Sequence, residues 1–219
     1  MVGALDKRNE VTQIGRMMNK FPLEPTLSRS LIAAQENGCT YEMIGIVSVL
    51  SASANLFVDP PNNREKAREA RVSFHDSSGD HLTALKALRA YEELITNGKP
   101  KGARRAWCEQ HYVNERALSE AVDIQEQLRG ICDRENIDWH ASAGNAIEPV
   151  LESLLVGLVQ NTALFREETK SYKQVTSKSV SHFRFNVALI GFLLVIVGDE
   201  DPNSSEFCSF WSHSQSYSV

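Results

Sequence analysis

Residues 107–136, WCEQHYVNERALSEAVDIQEQLRGICDREN, carry Leu118, Val122, Gln125, Leu128 and Cys132 three and four residues apart. That spacing gathers side chains into one stripe on a helix and scatters them on a strand. Ala117 and Ala121 beside the stripe leave room for a second helix to approach closely. The run predicts a helix through 107–136, and a helix of this kind is stable only if other helices cover its apolar face.

The same period recurs on either side. Val11, Ile14, Met17, Met18 and Phe21 fit a helix that PLEP then closes. Leu27, Leu31, Ile32 and Ala34 fit a second, ended by Gly38. Thr40 is placed to cap a third, YEMIGIVSVLS, with Met43, Ile44, Val47 and Leu50 as its apolar stripe. Three short helices with tight turns suit a small winged-helix-like unit. Pro60-Pro61-Asn62-Asn63 is a break, and REKAREARVSF beyond it reads as a solvated helix in which Glu65 and Arg68 pair weakly. IEPVLESLLVGLVQNTALF predicts another amphipathic helix that buries Val150, Leu151, Leu154, Leu155 and Leu158, and SYKQV at 171–175 is the first plausible strand. The fold class expected is mainly α.

GDHLTALKALRAYEEL, residues 79–94, sets Asp80 beside His81 at the head of an apolar run of Leu82, Leu85, Leu88, Ala90 and Tyr91. In a catalytic triad the acid and the base converge from distant positions and a nucleophile is marked. Neither holds here. Asp80 is expected at the N-cap, where its carboxylate accepts from first-turn N–H groups, with His81 in the first turn.

Composition narrows the function classes. The 219 residues are 42% hydrophobic and 23% charged, enough for one large domain or two small ones. A net charge of −5 excludes holding nucleic acid by the overall field, so any such contact is local. Cys39, Cys108, Cys132 and Cys208 form no C-x-x-C pair, which points to a reducing compartment, and Cys39 and Cys108 read as small buried hydrophobes. The six histidines are scattered, with His111 expected beside Trp107 or Tyr112, and no metal site is expected. The N-terminus has no signal-peptide pattern, and Val187–Val197 as a helix spans about 16 Å, too short for a bilayer. Gly98-Lys99 is followed by Pro100 and lacks the leading glycine of a phosphate-wrapping loop; G-x-G-x-x-G, H-E-x-x-H and G-x-S-x-G are absent.

Taken in order, GALD at 3–6, FPLEP at 21–25, GCTYEMIGIVSVLS at 38–51, FVDPP at 57–61, GDHLTAL at 79–85 and WCEQHYVNERALSEAVDIQEQL at 107–128 resemble the C-terminal region of DEAH-box RNA helicases. The likeness covers residues 3 to about 176. It implies a degenerate winged helix at 1–60, a helical ratchet bundle at 61–170, and a truncated or aberrant OB-fold start at 171–219. It also implies that the bundle lines one wall of a channel for single-stranded RNA, against RecA-like motor domains. The contacts carried over are Asn114, Arg116, Gln127 and Arg129; from the residues alone, Arg116 and Gln127 serve equally well to satisfy helix ends or pair with glutamates. ATP and Mg belong to the motor of the parent family. The P-loop, DEAH box and arginine finger are not in this sequence, so the chain alone is expected neither to hydrolyse ATP nor to unwind RNA. Glycine-rich G-patch activators are further expected partners, a membrane is not, and the nucleus or nucleolus is the expected compartment, with the cytoplasm as alternative.

The competing reading is a protein-interaction module, or an inactive truncated product, without RNA binding. A DNA-binding winged helix is weaker, because LSRSLIAAQEN offers Arg29 as its one basic residue. After SYKQV the sequence departs from the family. Translation through a retained intron, with Val180-Ser181 encoded by a GTG-AGT splice donor, is one explanation. The apolar 187–197 run is then an aggregation liability.

Overall fold

The computed structural model describes residues 2–166, 171–174, 180–181 and 194–196, with side chains through residue 161. The chain is mainly α. Eight helices are described: α1 Gln13–Met18, α2 Pro25–Glu36, α3 Thr40–Ser51, α4 Arg64–Arg71, α5 Asp80–Thr96, α6 Lys101–Gln110, α7 Glu115–Arg134 and α8 Glu148–Leu158. Short strands follow: β1 Thr162–Arg166, β2 Ser171–Gln174, β3 Val180–Ser181 and β4 Leu194–Ile196, in the order β3-β2-β1-β4. β1 is antiparallel to β2 and parallel to β4. The expected SYKQV strand is β2. TALF, expected to extend the preceding helix, instead lies in β1. The rest of the tail, including most of the 187–197 run, lies outside the described residues, and with it most of the expected OB-fold start.

Residues 1–33 with 151–219 form one compact unit, and 34–150 form another. The Pro60-Pro61 break lies inside the second. In the first unit, GALD makes a tight hairpin: Asp6 Oδ1 accepts from the N–H groups of Arg8 and Glu10, Leu5 bridges Val11, and Thr12 caps α1. Pro25 opens α2 at the position where a missing N–H is harmless. Gly157 of α8 presses against α2 so closely that a β-carbon there would stand 2.1 Å from Ser30 Oγ and 2.2 Å from Thr26 O.

The second unit is built around α3. Residues 42–48 are all buried, so this helix is covered on every side rather than along one stripe, and it packs on both α5 and α7. Gly45 marks the three-way meeting, where a β-carbon would stand 2.5 Å from Leu85 Cδ1 of α5 and 3.6 Å from Gln125 of α7. Next to it, Leu56, Phe74, Leu88, Tyr91, Cys108, Val113 and Leu118 form a continuous apolar cluster.

The head of α3 is fastened by a carboxylate. Glu42, 4% exposed, accepts from Arg89 Nη2 at 3.0 Å, Ser142 Oγ at 2.6 Å and the Ala143 N–H at 3.1 Å, while Tyr41 N–H donates to Ala141 O at 2.9 Å. The 141–143 segment is thereby held against α3 and α5.

Four helices end alike. In each, the residue two beyond the helix has positive φ and the next N–H reaches back five residues: Gly38 (68°) with Cys39 to Ala34, Gly98 (67°) with Lys99 to Leu94, Tyr112 (52°) with Val113 to Cys108, and Asn136 (56°) with Ile137 to Cys132. At Tyr112 this left-handed turn costs about 1–2 kcal/mol that glycine would not incur. It also breaks the helix expected over 107–136 into α6 and α7, because periodicity does not reveal an aromatic residue in that conformation.

Two expected caps are corrected. Thr40 and Asp80 are the first residues of α3 and α5; the cap positions belong to Cys39 and Gly79, and neither helix has a side-chain cap hydrogen bond. Gly79 takes φ 124°, which Asp80 could not adopt comfortably, and Asp76 and Thr83 organise the turn instead.

Gly157→Ala should destabilise the chain by about 1–3 kcal/mol in urea unfolding, since backbone cannot move aside. Gly45→Ala should cost less, because its close neighbour is the end of a flexible leucine. Glu42→Ala should cost about 2 kcal/mol and Glu42→Gln less, as the amide keeps an acceptor for Ser142 or Ala143. Equal losses from both Glu42 variants would show that the charge, rather than a retained acceptor, fastens the head of α3.

Candidate nucleic-acid interface

α7 carries three of the four expected RNA contacts, and the fourth caps it. Asn114 stands at its N-cap, where Oδ1 accepts from the N–H groups of Arg116 at 3.1 Å and Ala117 at 3.4 Å. Its acceptor is thus occupied by the helix end. Arg116 and Gln127 are exposed and lie eleven residues apart, three turns and about 16 Å along one face. Neither side chain has a hydrogen bond among the described residues, though the charge of Arg116 reaches Glu120 four residues on. The same face presents Glu120 and Asp123 between them, so it is not a uniformly basic track. Glu120 is held by Ser53, whose N–H and Oγ donate to Oε2 at 3.1 and 2.6 Å and lower its pKa below the usual range.

Arg129 points elsewhere. It donates to Gln125 Oε1 at 2.6 Å, pairs with Glu92 at 3.8 Å, and lies against the rings of Trp139 at 5.2 Å and Tyr41 at 6.0 Å. Arg89 covers the same Tyr41 ring at 5.5 Å. Tyr41, Arg89, Glu92, Glu93, Thr96 and Arg129 line an open polar depression. Both arginines are committed to carboxylates, and burial pushes the Glu92 pKa up against their pull. The structure therefore does not bring the four expected contacts to one place.

Sequence reasoning passed over the α6–α7 corner. Phe74, Trp107, His111 and Tyr91 form a chain of ring contacts, with Trp107 and His111 centroids 4.5 Å apart. His111 is thus beside Trp107, as expected. Tyr112, next in sequence, has no part in the chain. The signal available was HYVN itself: an aromatic followed by a capping asparagine.

Elsewhere the titratable groups are structural. Lys86 and the Ser78 N–H hold Asp76 below the usual carboxylate range. Burial pushes the Cys108 thiol up to about 12 and Cys132 to about 11, so both are poor nucleophiles. Among the described residues no group of three or more His, Cys, Asp or Glu is placed to hold a metal ion, and no helix is long and apolar enough to cross a membrane.

Residues 24–84 match the family model of the helicase associated domain (HA2), ratchet-like. Across 166 residues, 74% of the chain, the sequence is 32% identical to the ATP-dependent RNA helicase DHX33 of Homo sapiens and 31% identical to that of Mus musculus. The chain thus carries a ratchet-like, helicase-associated match at 24–84 and is homologous over most of its length to a DEAH-box RNA helicase. It spans 22% of the length of these relatives. Within the helicase-associated segment, the 24–84 match runs from just before α2 into the first turn of α5, and so takes in the buried helix α3.

Asp80 and His81 form the first turn of α5. Half-buried His81 has its pKa pushed below the ordinary value by desolvation, partly offset by Asp80. A histidine with a depressed folded pKa binds fewer protons folded than unfolded, so its stability contribution is full above about pH 6.5 and is lost as pH falls toward the folded value. Unfolding free energy should therefore drop between about pH 7.5 and about pH 5.5, and His81→Gln should flatten that drop. An unchanged slope in the variant would assign the pH dependence to other groups.

Proposed function

We propose that this segment guides single-stranded RNA along the exposed face of α7 and couples its movement to RecA-like motor domains. The observation that carries the reading is the homology over 166 residues to an ATP-dependent RNA helicase, combined with the exposure of Arg116 on α7. An exposed arginine meets a phosphate bidentately, and an exposed amide such as Gln127 bonds to sugar or base edges. Asn114 orients Arg116 by fixing the first turn of α7, and Arg129 braces α7 against α5 and the 139–143 segment. Both act as positioning residues in this reading.

ATP and Mg do not fit the residues present: the sequence has no phosphate-wrapping glycine loop, and no carboxylate cluster stands among the described residues. Hydrolysis belongs to the motor domains in this proposal, as do a nuclear or nucleolar setting and activation by G-patch proteins to the helicase as a whole. Glu120 and Asp123 on the α7 face, with the net charge of −5, favour the second reading, a protein-interaction module.

Fluorescence anisotropy with a labelled single-stranded RNA separates the two. Arg116→Ala should weaken binding at low salt and reduce the slope of log affinity against log salt by about one phosphate's share. Arg129→Ala should instead lower the melting temperature. RNA affinity that is undetectable, or unmoved by Arg116→Ala, would leave the interaction module as the better account.

A further inference from the structure

The link between α5 and α6 gathers positive charge that the fold does not use. Residues 94–108, LITNGKPKGARRAWC, hold Lys99, Lys101, Arg104 and Arg105 and no acid, in a chain whose net charge is −5. Lys99, Lys101 and Arg105 are exposed, and the two lysine side chains have no hydrogen bond or ion pair among the described residues. Arg105 pairs with Glu109 at 3.0 Å, but both side chains are largely in water, where such a pair contributes little. Arg104 is different. Its guanidinium lies over the Tyr91 ring at 5.7 Å and belongs to the packing of α6 against α5.

Folding gains nothing from the other three charges. The N-cap of α6 is Pro100, with no side-chain hydrogen bond, and the first turn has no acid. Cations at that end oppose the helix dipole and so weaken the helix they begin. The backbone that carries them is pinned all the same. Gly98 takes φ 67°, the Lys99 N–H donates to Leu94 O at 3.0 Å, and Pro100 O accepts from Ala103 and Arg104 at 2.9 and 3.1 Å. Lys101 and Arg105, four residues apart, stand on one side of α6.

An acidic chain can hold a polyanion only through a local cluster of cations. On α7, Arg116 shares its face with Glu120 and Asp123. The α5–α6 link has no such acids within it. We propose that Lys99, Lys101 and Arg105 form a landing surface for the phosphate backbone of single-stranded RNA. The inference rests on the RNA-guiding reading, which makes a strand rather than an acidic protein the occupant, and adds contacts away from α7. Such contacts position a strand by charge and read no base. α6, about 15 Å long, leads from this cluster to the start of α7 and Arg116.

The full chain is titrated into a labelled single-stranded oligouridine over a series of salt concentrations, with thermal melts run in parallel. Lys99→Gln, Lys101→Gln and Arg105→Gln made together should weaken binding about tenfold at low salt, and lower the slope of log affinity against log salt by about two. The melting temperature should be no lower, because the start of α6 loses opposing charge. Lys99→Arg with Lys101→Arg keeps the charge and should bind as the unsubstituted chain does. RNA binding unmoved by the three glutamines would overturn the landing surface; if Arg116→Ala still weakened it, RNA guiding along α7 would stand. An oligoglutamate of equal charge bound as tightly as the strand would overturn it in favour of an acidic protein partner. A sharply lowered melting temperature in the glutamine variant would assign the charges to the fold and overturn it too. No RNA binding by the unsubstituted chain would overturn both proposals.

Discussion

A carboxylate removed from water must find donors for its lone pairs, and Glu42 finds three on segments far apart in sequence. Arg89 comes from α5, and Ser142 and Ala143 from the connection between α7 and α8. The buried helix α3 could pack against α5 and α7 in several rotational settings by apolar contact alone. Hydrogen bonds to a single charged group are directional and select one of them. The positions of Arg89 and Arg129 follow from that choice, because both meet over the ring of Tyr41.

Much of this architecture is written in the apolar spacing. Leu118, Leu128 and Cys132 are buried on one side of α7, and Leu82, Leu85 and Leu88 on one side of α5, as their positions dictate. The motifs behind the family resemblance are mostly element boundaries: GALD is a hairpin, FPLEP opens α2, GDHLT opens α5, and FVDPP supplies the extended pairing of Phe57 with Val113. What spacing could not show was backbone handedness. Tyr112 and Asn136 take a conformation usually left to glycine, so the corner between α6 and α7 was hidden inside a run with good helical period. Caps were displaced by one residue for a related reason. Thr40 and Asp80 are the usual residue types for the role, but Gly79 can reach a φ that Asp80 cannot, and the preceding residue took the place in both cases.

The candidate site was legible only in pieces. Arg116 and Gln127, expected to contact a strand, are exposed on one face of α7, with Glu120 close enough to Arg116 to feel its charge. Arg129, two residues beyond Gln127, faces nearly the opposite way around the helix and joins an internal network with Gln125 and Glu92. That outcome depends on which helices flank α7, a tertiary fact with no local trace. Glu120 and Asp123 on the outward face make any phosphate contact a matter of single residues, in keeping with the acidic balance of the whole chain.

The repeated helix ending has a wider meaning. Each of these four stops is specified within six residues by one left-handed turn and one returning amide, so the ends of these rods are set by local sequence. The connectors beyond those stops carry no duty to terminate anything. They are free instead to tie distant segments together, as Tyr112 and Asn114 do with residues 56–58 and as Ser142 and Ala143 do with Glu42.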